Sequence, residues 1–245
     1  MNFHCFDIGN TRIKLGLFKQ GQLDQVLYYN HSEVNDILNY CHQQVTQAVI
    51  ISSTAVIPET LLIEMEKLVD KLIVLGADTP VPIWNNYATP TTLGKDRLAG
   101  VIGAYQSNPN ENNLVIDAGT CITYDFIDLE NIYQGGNISP GLRMRYAAMH
   151  QLTAKLPLVD PPEDYYLTSN NTTDAIQSGG LLGLITEIEG IIERFNKKFR
   201  KINVFMTGGD AIFLAKNIEN EIFVVPNLVL EGLHAILEYN INHEE

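Results

Sequence analysis

Residues 3–18 read FHCFDIGNTRIKLGLF. An apolar run leads to Asp7, a polar stretch Gly9-Asn10-Thr11 follows, and apolar residues resume at Ile13, Leu15 and Leu17. That is the pattern of two strands joined by a tight turn carrying a carboxylate, a hydroxyl and a glycine. Gly9 lets the backbone approach an anion closely, and the amides of such a turn can point at it. Asp7 is too acidic to touch phosphate directly and would act through a divalent cation. Lys14 could bring a positive charge to the same anion. Taken alone, the segment is as easily a strand ending in an Asx-type turn.

The same pattern returns at 114–127, LVIDAGTCITYDFI, with an apolar run before Asp117, then Gly119-Thr120, then an alternating run. Two copies of strand–DxG–Thr–strand predict a duplicated fold facing a shared cleft. A third small-residue turn, Thr207-Gly208-Gly209, falls between a predicted strand and a predicted helix and admits a nucleotide as readily. There is no GxxxxGK[S/T] loop: Gly94-Lys95 is followed by Asp96, and the upstream glycine is missing. The GxGxxG dinucleotide fingerprint is absent as well. A nucleotide would therefore be held by hairpin turns between the halves.

Composition narrows the class. The chain has 245 residues, 45% hydrophobic and 18% charged, which is enough to bury a core. Its 29 acidic and 16 basic side chains give a formal charge of −13, which argues against a nucleic-acid partner, because phosphate contacts need a basic surface. Cys5, Cys41 and Cys121 show no paired spacing and read as reduced thiols of a cytoplasmic protein. No basic segment with a long apolar run opens the chain, and no apolar run approaches the length of a membrane span.

The rest of the chain reads as alternating strands and helices. Leu23–Tyr29 returns as a third strand, 32–44 is a helix with Ser32 as N-cap, and 48–53 is a buried parallel strand. Pro58 opens a second helix, 72–75 is a strand, and the proline-bearing 79–92 is irregular. Helix follows from Leu98. The polar 107–113 (SNPNENN) marks a boundary, giving domains 1–112 and 113–245. In the second half, 133–141 reads as a glycine-rich loop, 142–153 as a helix and 172–198 as a long helix with an apolar packing stripe. A strand at 201–206, short elements at 210–216 and 222–225, and a helix from Leu228 to Tyr239 close the chain.

Gly94-Lys95-Asp96-Arg97 stands at the head of a helix. Asp96 is suited to accept a proton from a substrate hydroxyl, and Arg97 to pair bidentately with a substrate carboxylate. Capping by an acidic first-turn residue is the plainer account of the same spacing. No cysteine–histidine pair has metal-site spacing, and His4 reads as a sheet residue.

DIGNTRIK at 7–14, LGKDRLAG at 93–100, VIDAGTCITYDFI at 115–127, GGNISPGL at 135–142, NTTDAIQSG at 171–179 and MTGGDA at 206–211 occur in an order and spacing that resembles type III pantothenate kinase, within the actin/sugar-kinase/Hsp70 superfamily. The resemblance implies an α/β fold of two ribonuclease-H-like domains, a duplicated actin-like ATPase, with ATP in the interdomain cleft. It implies transfer of the ATP γ-phosphoryl group to pantothenate, the first step towards coenzyme A. By similarity Asp96 is the general base, and Tyr87, Gly94, Lys95, Asp96, Arg97 and Thr172 bind the substrate. Asp7, Ile8, Gly9, Asn10, Thr11, Arg12, Ile13, Lys14 and Thr120 bind ATP. Asp117 holds a monovalent cation (K⁺ or NH₄⁺), and Asp7 meets Mg²⁺ through phosphate. Thr172 would act across a homodimer interface. Cys121 stands where the family more often has alanine. The alternatives are another small-molecule kinase of the superfamily, which leaves Tyr87 with the GKDR segment unexplained, a non-catalytic regulator, which has no need of Asp7 and Asp96, or an actin-like filament protein, which has no use for the GKDR loop.

Overall fold

A computed structural model describes residues 2–243. The opening hairpin forms as expected, with β1 (Asn2–Ile8) antiparallel to β2 (Ile13–Lys19) and Asp7 opposite Lys14. β3 (Gln22–Tyr29) extends the hairpin, and β4 (Ala48–Ser53) and β5 (Lys71–Val74) add in parallel on the other side of β1. The first sheet therefore runs β3-β2-β1-β4-β5.

The second sheet repeats this arrangement. β7 (Asn113–Ala118) is antiparallel to β8 (Cys121–Ile127), while β10 (Asn203–Thr207) and β11 (Phe223–Val224) add in parallel beyond β7. β9 (Ile132–Pro140) lies next to β8, and the two-residue β6 (Trp84–Asn85) pairs with the start of β9. Matching β1 to β7, β2 to β8 and β4 to β10 superimposes the two strand orders, which is the duplicated ribonuclease-H-like arrangement.

The expected glycine-rich loop at 133–141 is instead β9. Gly136 is there for contact, since a β-carbon would lie 1.8 Å from the Tyr124 carbonyl oxygen, and Gly135 adopts φ +90°. Helix α1 (Val34–His42) starts later than expected, and its N-cap is Glu33, not Ser32. Pro58 is the N-cap of α2 (Glu59–Leu68). Helix α3 (Lys95–Ser107) begins at Lys95 and not at Leu98, so Asp96 and Arg97 lie inside its first turn.

Two compact units result: Met1–Asn110 with Glu130–Gln134 and Asn227–Glu245, and Glu111–Leu129 with Gly135–Pro226. The break at 110/111 falls within the polar 107–113 stretch. The C-terminal segment groups with the first unit, away from the 113–245 half in which the sequence division puts it. The cause is close packing of helix α7 (Leu228–Asn242) on α3, where β-carbons at Gly103 and Gly232 would lie 2.4 Å from the Leu228 oxygen and 1.8 Å from the Ala99 oxygen.

In the first unit Phe6, Ile8, Ile13, Leu15, Val49 and Ile51 pack against Ile37, Cys41, Leu61 and Met65 of α1 and α2. Cys5 and Cys41 are buried free thiols, and His4 is a buried strand residue whose imidazole burial pulls down to about 4. In the second unit Leu114, Ile116, Ile122, Tyr124, Val204 and Met206 pack against α4 (Leu142–Gln151), α5 (Thr172–Phe199) and α6 (Ala211–Ala215). By length and a mean hydropathy of 1.2 over its best window, α5 could cross a membrane. Its apolar stripe, Leu181, Leu184, Ile185, Ile188 and Ile192, is buried in this unit's own core.

Candidate active site

Strand alternation sets the first group of residues. Phe6 and Ile8 face α1 and α2, so Asp7 points to the opposite face, the one on which α3 and α7 pack. Asn10, Thr11 and Arg12 are exposed at the hairpin turn, which is closed by the Gly9 amide donating to the Arg12 carbonyl at 3.1 Å. His31 Nε2 donates to the Gly9 carbonyl at 2.9 Å, and the Arg12 guanidinium lies 4.6 Å from the Tyr28 ring centroid. Lys14 Nζ stands 3.9 Å from Asp7 Oδ2.

Asp7 is pushed up to about 6. Burial is the largest cause. Lys14 works against it, the charge of Asp96 adds to it, and Arg12 again opposes it. A charge on Asp96 that raises Asp7 in this way places the two carboxylates in one neighbourhood, so the first group includes both.

Asp96 sits in the first turn of α3, where an acidic side chain faces the positive end of the helix dipole. Its Oδ1 accepts the Arg97 amide at 2.8 Å. Gly94 fits because a β-carbon there would lie 2.6 Å from that same oxygen. Arg97 is buried, with its guanidinium 5.7 Å from the Tyr87 ring centroid. Tyr87 is in turn stacked on the buried Tyr133 at 6.1 Å, with the rings 6° from parallel. Tyr133 escaped the sequence reading, since an aromatic among glycines carries no periodic signal.

In the second unit the Gly119 amide closes its turn on the Cys121 carbonyl at 3.0 Å, and Thr120 is exposed. Two further glycines press on this hairpin. The Gly141 amide donates to the Thr120 carbonyl at 3.1 Å, and a β-carbon at Gly141 would lie 2.4 Å from that oxygen. Gly208, at φ +97°, leaves a β-carbon only 2.4 Å from both Asp117 Oδ1 and the Ala118 oxygen. The third small-residue turn therefore lies directly against the second DxG carboxylate.

Arg145 anchors the end of β9. It donates to the Pro140 carbonyl at 3.0 Å and Ser139 Oγ at 3.2 Å, and it pairs with Glu187 of α5. Burial alone would raise Glu187, but the bonds from Arg145, Ser139 and Tyr124 outweigh it and hold the carboxylate below its ordinary range. Arg145 and Glu187 were not singled out in the sequence, because they come together only through the α4–α5 packing.

Thr172 is exposed at the first turn of α5, capped by Asn171 Oδ1, which accepts the Asp174 amide at 3.0 Å. It borders an open groove of about 490 Å³ with Met149, Leu156, Asn170 and Ile176. Among the described residues no three His, Cys, Asp or Glu side chains converge on a metal position.

The family model of type III pantothenate kinases matches residues 4–194. A type III pantothenate kinase of Phocaeicola vulgatus is 40% identical over 234 residues, covering 96% of this chain and 97% of its own. One from Flavobacterium psychrophilum is 40% identical over 239 residues, covering 95% and 97%. In fold, a ROK family glucokinase of Streptomyces griseus solved with glucose and AMPPNP aligns over 98% of this chain and 100% of its own, at 11% identity and a TM-score of 0.55.

Proposed function

The chain belongs to the type III pantothenate kinase family, and on that premise we propose how its residues phosphorylate pantothenate with ATP at the head of coenzyme A synthesis. Pantothenate offers a primary hydroxyl and, at the other end, a carboxylate. Asp96 orients the hydroxyl and takes its proton as the oxygen–phosphorus bond forms. The bond from the γ-phosphorus to the β–γ bridging oxygen breaks, leaving ADP and 4'-phosphopantothenate. An alcohol is a weak acid, so this proton transfer comes late, and positioning and charge neutralisation do most of the work.

The observation that carries this assignment is the placement of Asp96 beside Asp7 in the first unit, at a helix head whose glycine leaves the carboxylate its position. Gly94, Lys95 and Arg97 complete the substrate loop. Arg97 pairs with the pantothenate carboxylate, and the Tyr87–Tyr133 stack beneath its guanidinium supports that role. Asp7, Ile8, Gly9, Asn10, Thr11, Arg12, Ile13 and Lys14 bind the ATP phosphates, and Thr120 contacts the nucleotide.

Two cations assist when bound: Mg²⁺ neutralises the phosphates, and K⁺ or NH₄⁺ supplies a fixed charge to them. The donor sets fit. Among the described residues no three His, Cys, Asp or Glu side chains cluster, so Mg²⁺ would take Asp7 and phosphate oxygens. Asp117 with neighbouring hydroxyls suits a monovalent ion. Thr172 of the partner subunit reaches the substrate in a homodimer, a reading supported by the groove beside Thr172 and by exposed Leu152, Leu158 and Leu167 nearby in sequence. A cytoplasmic location accords with the three free thiols.

A coupled ADP-release assay with pantothenate and a panel of sugars tests the whole. ADP should form only with pantothenate and increase with K⁺. Turnover of a sugar at a comparable rate would overturn the substrate assignment.

A further inference from the structure

The two units carry the same row of three residues across neighbouring strands. In the first, Lys14 on β2 and Ser52 on β4 are the register partners of Asp7 on β1. In the second, Thr123 on β8 and Thr207 on β10 are the register partners of Asp117 on β7. Register partners project from the same face, with β-carbons of directly opposed residues about 5 Å apart.

The rows differ in one chemical respect. Beside its aspartate the first has an ammonium, 3.9 Å from the carboxylate. The second has the hydroxyl of Thr123 at the matching position. That oxygen is buried and makes no hydrogen bond among the described residues. Ser52 Oγ of the first row is buried without a hydrogen bond as well, but there the Lys14 ammonium already stands beside the carboxylate; in the second row a buried hydroxyl without a partner calls for a ligand. Thr207 Oγ1, on the other side of Asp117, donates to the Pro226 carbonyl at 3.3 Å, which uses its proton and not its lone pairs.

We propose that Thr123 is a ligand of the monovalent cation at Asp117, so that the ion stands in the second unit where the Lys14 ammonium stands in the first. This rests on reading Asp117 as the cation site. One carboxylate with neutral hydroxyls is a weak ligand field, suited to a large, loosely hydrated ion of single charge. The same reading predicts that ammonium can replace potassium, since NH₄⁺ is the head group of the lysine that the first unit carries covalently. Gly208 belongs to the same site, because its missing β-carbon is what leaves space at Asp117 Oδ1.

Thallium(I), which substitutes for potassium, can be titrated into the full-length chain with Mg²⁺ and a non-hydrolysable ATP analogue in sodium buffer and followed by thallium NMR line broadening. Thr123→Val, which keeps shape and removes the oxygen, should weaken thallium binding at least tenfold, and Thr123→Ser should bind as the parent does. Asp117→Asn should abolish binding. If Asp117→Asn binds normally, the cation reading itself falls. If Asp117→Asn fails to bind and Thr123→Val binds normally, only the role of Thr123 falls. Thr123→Lys should bind no thallium and phosphorylate pantothenate equally in sodium and potassium buffers. A folded lysine variant that still requires potassium would overturn the equivalence with Lys14, and the valine and serine pair decides the ligand if that variant does not fold.

Discussion

Two carboxylates of the first unit are asked to do different things, and their surroundings separate them. Asp96 stands at a helix head, where its Oδ1 accepts the Arg97 amide. Asp96→Asn should keep the fold and the affinity for ATP while losing most of kcat. Near-normal turnover would remove Asp96 as the base. Asp7 pays for its position, lifted from an ordinary 3.8 to about 6 chiefly by burial. Between those values the folded chain holds a proton that the unfolded chain has released. Stability therefore falls as pH rises through that window, by up to about 3 kcal/mol. Asp7→Asn should relieve this cost, unfolding at higher urea than the parent at pH 7.5, with the gap closing near pH 4. The same variant should lose phosphoryl transfer, since the proposed role of that charge is to meet the metal–phosphate end of ATP. A urea gap of equal size at both pH values would show that ionisation of Asp7 is not its source.

At the scale of elements, the turns carry the proposed binding residues, and glycines let neighbouring turns pack closely. Gly208 adopts φ +97° and its β-carbon position is 2.4 Å from Asp117 Oδ1. Gly208→Ala would strain the backbone and displace that carboxylate. It should cost about 1–3 kcal/mol of stability and raise the potassium concentration needed for half-maximal activity, with a far smaller change in the KM for pantothenate. An unchanged potassium requirement would separate the 207–209 turn from the proposed cation site. The hairpins at 3–18 and 114–127 were legible because each has a period-two pattern broken by a DxG turn. β9 was not, since Gln134-Gly135-Gly136-Asn137 has loop composition and becomes a strand only because Gly136 must pass the Tyr124 backbone. β6 is too short to leave a pattern. Asp96 was legible as a helix-head residue, while its proximity to Asp7 depends on which face of the sheet α3 covers.

For the whole molecule, the duplication could be read in the sequence and the assignment of its last helix could not. Residues after the second DxG hairpin look like part of the second half until α7 is seen to bury Leu228, Leu230, Leu233, Ile236 and Leu237 in the first unit. No local pattern names that partner, because an apolar helix face is compatible with any sheet. A chain ended at Pro226 keeps every proposed catalytic and binding residue yet removes one wall of the unit that holds Asp7 and Asp96. The face left bare includes α3 and the sides of β1 and β4 on which α7 packs. Hydrogen exchange on that truncated chain should show β1, β4 and α3 amides losing protection while α5, whose buried stripe lies in the second unit's own core, retains it. Pantothenate phosphorylation should vanish with the protection of β1. Full protection of β1 and β4 without α7 would mean that the first unit is held together by its α1 and α2 side alone, and that the C-terminal helix has no part in positioning the two carboxylates.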